Sequence, residues 1–140
     1  MKRMKLMIII TLFTLKAFCP SDEAIRIVKT EPIRPYEALF EAIVMVESSG
    51  NPLAIGDKHL RHKSYGIVQV RRTRLNDYYD KTGIRYYESD MFDPVKSKEV
   101  FMYYCSGSDL EVISRCWNGG NKGMNKKSTV KYWNKVKQKI

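Results

Sequence analysis

Glu47 ends an apolar helical run, EAIVMVESSGNP at residues 41–52, at a point where a charge is out of place. On a helical wheel at about 100° per residue, Leu39, Phe40, Ile43, Val44 and Val46 fall within about 80° of Tyr36. Glu37 and Glu41 fall at about 100° and 140°, off that stripe, whereas Glu47 falls at about 20°, in its middle. An ionised carboxylate is costly there unless it is paired or opens onto a cleft. Glu47 also belongs to the last turn of its helix, where the macrodipole is negative. Apolar surroundings and dipole both disfavour the anion and raise the pKa. A carboxylic acid that keeps its proton near neutrality is suited to general acid catalysis, as in breaking a glycosidic bond. A Glu that turns to solvent as the helix frays, or pairs with a nearby Arg, fits the pattern as well.

The residues just past the acid favour a built site. Gly50 can take positive φ and Pro52 forbids continuation, so Ser48-Ser49-Gly50-Asn51-Pro52 stops the helix sharply. The chain turns at once, leaving the acid at the rim of a cleft. No His or Cys spacing suggests a metal, and His59 and His62 lie in a charged loop. Cys105 and Cys116 are a candidate disulfide pair, the alternative being two small buried hydrophobes.

The elements that must position these groups are mostly helices. Tyr36 to Glu47 or Ser48 reads as the first. SSGNPLAIGDKHLRHKS is a loop with little regular structure or a small hairpin, and YGIVQV a short apolar segment. RRTRLNDYYDKTG reads as a helix closed by Gly83 at a left-handed C′ position. Asp93-Pro94 pairs an N-cap with a first-turn proline and starts a helix to about Tyr104. Ser108 and Glu111 read as a capping box for a helix from Asp109 to about Trp117. After the Gly- and Asn-rich loop WNGGNKGMN, Ser128 caps a final lysine-rich helix. The expectation is one compact, mostly α domain with almost no strand.

At 140 residues, 44% hydrophobic and 29% charged, the chain suits a single globular domain and excludes collagen-like or disordered classes. Its N-terminus resembles an export signal. MKRMK is basic, and Leu6–Leu15 form a ten-residue apolar stretch, shorter than the roughly 20 residues a membrane span requires. Residues 1–21 are read as a signal peptide or an uncleaved N-terminal anchor, residues 22–35 as a lead-in broken by Pro32 and Pro35, and residues 36–140 as the domain. Removing residues 1–21 takes Lys2, Arg3, Lys5 and Lys16 and no acid from a formal net charge of +10, leaving +6. The remaining excess is concentrated in Lys122–Ile140, which holds seven lysines and no acid. That stretch is a solvated helix face or a patch for a polyanion.

These residues, in this order, resemble the soluble lytic transglycosylase (SLT) domain of the lysozyme-like superfamily. Glu47-Ser48-Ser49-Gly50-Asn51-Pro52 with Ala54 is similar to its catalytic Glu-Ser-x-Gly-Asn-Pro motif. Gly66-Ile67-Val68-Gln69-Val70, after Ser64-Tyr65, resembles Gly-Leu-Met-Gln. Asp90–Pro94 is similar to a Leu-Phe-Asp-Pro helix start, and Cys116–Gly120 loosely resembles Ala-Tyr-Asn-Ala-Gly. Thr129, Tyr132 and Val136 resemble a terminal Thr-Tyr-Val element. Trp117 stands where the family usually has Tyr, and Ile67-Val68 replace Leu-Met. The resemblance covers about residues 36–137 and implies a lysozyme-like, SLT or goose-type helical fold.

The activity it implies is lytic transglycosylation of peptidoglycan without metal or cofactor. Glu47 would protonate the oxygen joining N-acetylmuramic acid to N-acetylglucosamine, then accept the proton of the muramyl 6-hydroxyl as a 1,6-anhydro ring closes. By the same resemblance Ser64, Gln69, Asn118 and Tyr132 would line the cleft, with Tyr65 and Trp117 offering flat surfaces to sugar rings. The implied partner is the glycan strand, alone or within a larger wall-spanning, secretion or phage assembly. Contact with a membrane would come only through the N-terminal segment, and export argues against nucleic acid. Two other readings stay open: a hydrolytic muramidase in which Asp57 steers water, and a basic polyanion-binding module using Arg71, Arg72, Arg74 and the terminal lysines.

Overall fold

The computed structural model describes residues 34–105 and 107–140. The signal or anchor and most of the lead-in therefore lie outside the described residues. Five α-helices and a three-stranded sheet make up the rest. They are α1 (Arg34–Ser48), β1 (Ile55–Gly56), β2 (Ser64–Tyr65), β3 (Val70–Arg71), α2 (Arg72–Thr82), α3 (Pro94–Tyr103), α4 (Leu110–Gly119) and α5 (Lys127–Lys137). Two 3₁₀ turns, Glu88–Phe92 and Gly123–Asn125, precede α3 and α5. The described domain is mostly helical, as expected. Among the described residues no helix is long and apolar enough to cross a membrane.

Helix α1 forms where the apolar stripe predicts it and packs against α3, α4 and α5. Leu39, Ala42 and Ile43 are buried in the core beside Phe101, Val100 and Val136. Gly83 closes α2 at φ 75°, donating its N–H to the Tyr79 carbonyl. Asp93 caps α3 as expected, its side chain accepting from the Val95 N–H at 2.8 Å with Pro94 first in the helix.

Two expected caps are displaced. Asp109, not Ser108, caps α4, accepting from the Glu111 N–H at 2.7 Å. A carboxylate one residue nearer the helix takes the orphan amide first. Ser128 lies inside α5, whose N-cap is Lys126, with no side-chain bond. The start of α5 is fixed instead by Thr129, whose buried Oγ1 bonds the carbonyls of Gly123 and Lys126.

The loop after α1 contains more order than the sequence suggests. β1, β2 and β3 form an antiparallel meander, with Gly56 opposite Ser64 and Ser64 opposite Arg71. Two residues per strand are too few for a period-2 pattern to register in the sequence.

Cys105 and Cys116 are free thiols, not a disulfide. Cys105 is buried after α3, its Sγ bonding the Phe101 carbonyl at 3.4 Å, and burial pushes its pKa up to about 12. It serves as a small core hydrophobe, while Cys116 sits half-buried on α4.

Candidate active site

Ser49 and Gly50 both take positive φ (53° and 84°), which turns the chain sharply after Ser48. Asn51 stabilises the turn, accepting the Leu53 N–H on Oδ1 at 2.9 Å. Ser48 Oγ bonds the Ile67 carbonyl at 2.8 Å, pinning the end of α1 to the turn between β2 and β3. Glu47 thus stands half-buried where the helix meets the sheet.

Its carboxylate accepts a hydrogen bond from Tyr132 Oη at 2.7 Å, across 85 residues of sequence. Among the described residues it has no ion-pair partner. Burial pushes the Glu47 pKa up from the ordinary carboxylate range, and the charge of Asp57 pushes the same way. The Tyr132 bond and the Arg71 charge pull it down. Burial is the largest of these effects. Burial together with the neighbouring Glu47 charge also raises the Tyr132 pKa, so the phenol stays a donor.

Glu47 opens into a cleft of about 660 Å³, shared with Asp57, Ser64, Gln69 and Arg71 from the sheet and its turns and with Arg74 and Asp77 from α2. Trp117, Asn118, Asn121, Lys122 and Lys126, from the end of α4 and the segment after it, line it too. On the sheet side almost every polar group is bonded to protein. Gln69 takes a left-handed φ of 54°, and its Nε2 donates to the carbonyls of Ala54 (3.2 Å) and Gly66 (2.9 Å). Gln69 Oε1 accepts from Ser64 Oγ at 2.7 Å. That bond occupies the space a side chain at Gly56 would need: a Cβ there would lie 2.0 Å from Gln69 Oε1 and 2.6 Å from Ser64 Oγ. Gly66 is equally constrained, since a Cβ would lie 1.8 Å from the Met91 carbonyl, which Ser97 Oγ holds at 2.7 Å. The strand turn is thereby locked to the start of α3.

The predicted site residues divide into three groups. Glu47, Ser64, Gln69, Trp117 and Asn118 border the cleft. Tyr132 is buried and reaches Glu47 with its hydroxyl. Tyr65 lies outside the cleft lining, its ring set edge-on to Phe92 at 6.0 Å and packed on the core. Trp117 also departs from expectation as a sugar platform. It is only 8% exposed, wedged edge-on against Phe101, with Nε1 donating to the Val68 carbonyl at 3.0 Å. Arg74 covers its ring at 4.4 Å and that of Tyr104 at 4.5 Å, while its Nη2 donates to the Cys116 and Trp117 carbonyls. A cation sits where a sugar ring was expected.

Arg71, like Arg74, Lys122 and Lys126, is a cleft residue that sequence reasoning placed elsewhere, in a basic patch. Directly opposed residues on adjacent strands share a face. The Ser64–Arg71 register therefore carries both to the cleft side, a signal available only once the pairing is known. Arg71 Nη2 bonds Asp57 Oδ2 at 2.6 Å. Among the described residues no three His, Cys, Asp or Glu side chains gather to hold a metal ion.

The family model described as the transglycosylase SLT domain matches residues 29–108, from before α1 to the α3–α4 loop. No curated protein matches the chain.

Proposed function

Because this chain belongs to the transglycosylase SLT domain family, whose activity is of the lytic transglycosylase type on peptidoglycan, we propose that Glu47 is its catalytic acid and base. The reaction we assign is cleavage of the β-1,4 bond between N-acetylmuramic acid and N-acetylglucosamine, ending in a 1,6-anhydro ring. The observation that carries this reading is the state of Glu47: half-buried, open to a cleft, raised in pKa and bonded by a phenol rather than a cation.

Tyr132 occupies Oε1, so the proton to be donated resides on Oε2. Protonation of the bridging oxygen breaks the bond to the muramyl anomeric carbon, and Glu47 is left as carboxylate. In that state the Tyr132 bond is at its strongest, because a hydrogen bond to an ionised acceptor exceeds one to a neutral acid. Glu47 then takes the proton of the 6-hydroxyl while that oxygen bonds to the anomeric carbon, which regenerates the acid. One residue serves both half-steps, and neither consumes water. The neighbouring hydroxyl is delivered intramolecularly, where effective concentrations reach about 10⁵ M or more. Asn118, exposed at the end of α4, is assigned to the substrate's amide or hydroxyl groups. Ser64 and Gln69 instead hold the sheet wall in shape through their mutual bond.

Peptidoglycan lies in the cell envelope, so this activity requires export, in keeping with the basic and apolar N-terminus. The test is digestion of purified cell wall followed by mass spectrometry. Anhydro-ended muropeptides are expected, and their loss in Glu47→Gln. Undiminished cleavage by that variant would remove Glu47 from the mechanism.

A further inference from the structure

The cleft holds a second carboxylate that the proposed mechanism does not use. Asp57 lines the same cavity as Glu47. A second carboxylate across from the acid is the group that hydrolytic glycosidases use to activate water. Here that group is engaged. Arg71 Nη2 lies 2.6 Å from Asp57 Oδ2, and Ser64 Oγ lies 3.1 Å from the same oxygen. Both partners come from the sheet: Arg71 sits on β3 directly opposite Ser64 on β2, so their spacing is set by backbone pairing. Asp57 itself takes a left-handed φ of 51° just after β1, and its carbonyl accepts the Leu60 N–H at 2.8 Å, which fixes where its side chain leaves the chain.

We propose that the Arg71–Asp57 ion pair decides the fate of the cleaved glycan, withholding a second base from the cleft so that the anomeric carbon is captured by its own 6-hydroxyl rather than by water. The inference rests on the proposed transglycosylase activity. In the favoured branch the bond from the anomeric carbon to the bridging oxygen breaks and the bond to O6 forms. The O6 proton passes to Glu47, replacing the one given to the leaving oxygen. In the suppressed branch a water oxygen bonds to the anomeric carbon, its proton passes to the Asp57 carboxylate, and the product is a reducing end. Water competes with an intramolecular hydroxyl only when a base activates it. The Asp57 oxygen bonded to the guanidinium is also the one nearest Ser64 Oγ, so both groups stand between it and a water molecule.

The experiment measures the ratio of reducing to anhydro ends released from cell wall by wild type, Arg71→Gln, Arg71→Lys, Asp57→Asn and the Arg71→Gln/Asp57→Asn double variant. Arg71→Gln is expected to raise the reducing-end fraction several-fold, Arg71→Lys to raise it less, and Asp57→Asn to leave it at the wild-type level. The double variant is expected to return to that level. A ratio unmoved by Arg71→Gln, or a rise that persists in the double variant, overturns the proposal. If Arg71→Gln fails to fold, salt replaces the mutation, since Arg71 and Asp57 are partly exposed and screening loosens them. The fraction should then climb with ionic strength in wild type and stay flat in Asp57→Asn; equal behaviour in both overturns the proposal. A wild type that already yields only reducing ends contradicts the product assignment itself. Anhydro-forming wild type with an unresponsive Arg71→Gln contradicts the ion pair alone.

Discussion

The two walls of the cleft are built on opposite principles. On the sheet wall, Asp57, Ser64, Gln69 and Arg71 bond one another or the backbone, and Glu47 is held by Tyr132. On the wall from α4 to α5, Asn118, Asn121 and Lys122 are exposed, and their side chains make no bond to a described residue. The backbone beneath them is nonetheless anchored. Arg115 is buried and bonds Glu111, Thr129 and the Met124 carbonyl, and a Cβ on Gly123 would lie 2.1 Å from the Arg115 carbonyl. Lys126 Nζ bonds the Gly119 carbonyl at 2.7 Å. A satisfied wall keeps its geometry through the reaction, as preorganised catalysis requires. A wall with free donors and acceptors has bonds left for a ligand. On the proposed function, chemistry falls to the first and grip to the second.

That contrast predicts losses in turnover on one side and in binding on the other. Glu47→Gln should lower cleavage by about 10²–10⁴-fold, the usual scale for a general acid. The same variant carries a stability signature. Because the folded-state pKa of Glu47 is raised, wild type loses stability as pH climbs from the unfolded carboxylate range through that pKa. Glu47→Gln should lack this slope and show a higher Tm than wild type at neutral pH, the gap closing in acid. Equal Tm profiles would mean that burial does not destabilise the Glu47 anion.

Tyr132→Phe should cost about tenfold in kcat, the worth of a hydrogen bond to a charged group. In the proposed mechanism activity needs protonated Glu47 and falls as pH rises through its pKa. The Tyr132 bond lowers that pKa, so its removal should move the alkaline limb of the pH–rate profile upward. A downward shift would contradict the geometry. Asn118→Ala should raise KM several-fold with kcat nearly kept, and a pure kcat loss would erase the distinction between the walls. The smallest effect is expected for Lys122→Gln, within about twofold in KM and fading at high salt, as for other exposed charges.

Helix ends were the most legible part of the fold. Asp93-Pro94 and Gly83 each act through one local rule, an acceptor for an orphan amide or a residue free to take positive φ, and both hold in three dimensions. The displaced caps at Asp109 and Thr129 show the limit of that reading. Several side chains within a residue or two can serve one helix start, and packing chooses among them. Trp117 shows the same limit at the site. Its aromatic character suggested a sugar platform, but the space above its ring is filled by Arg74, 43 residues earlier.

By itself the sequence determined that a carboxylic acid would interrupt an apolar helical face just before the chain must turn, because wheel position, Gly50 and Pro52 are all local. It also determined a mostly helical domain, since stripes and caps repeat along the chain. Tertiary structure alone decided that Tyr132 would hold that acid, that Arg71 would hold Asp57, and that Tyr65 and Trp117 would go to packing. Each of these depends on which distant segment fills a given volume, and close packing leaves room for only one.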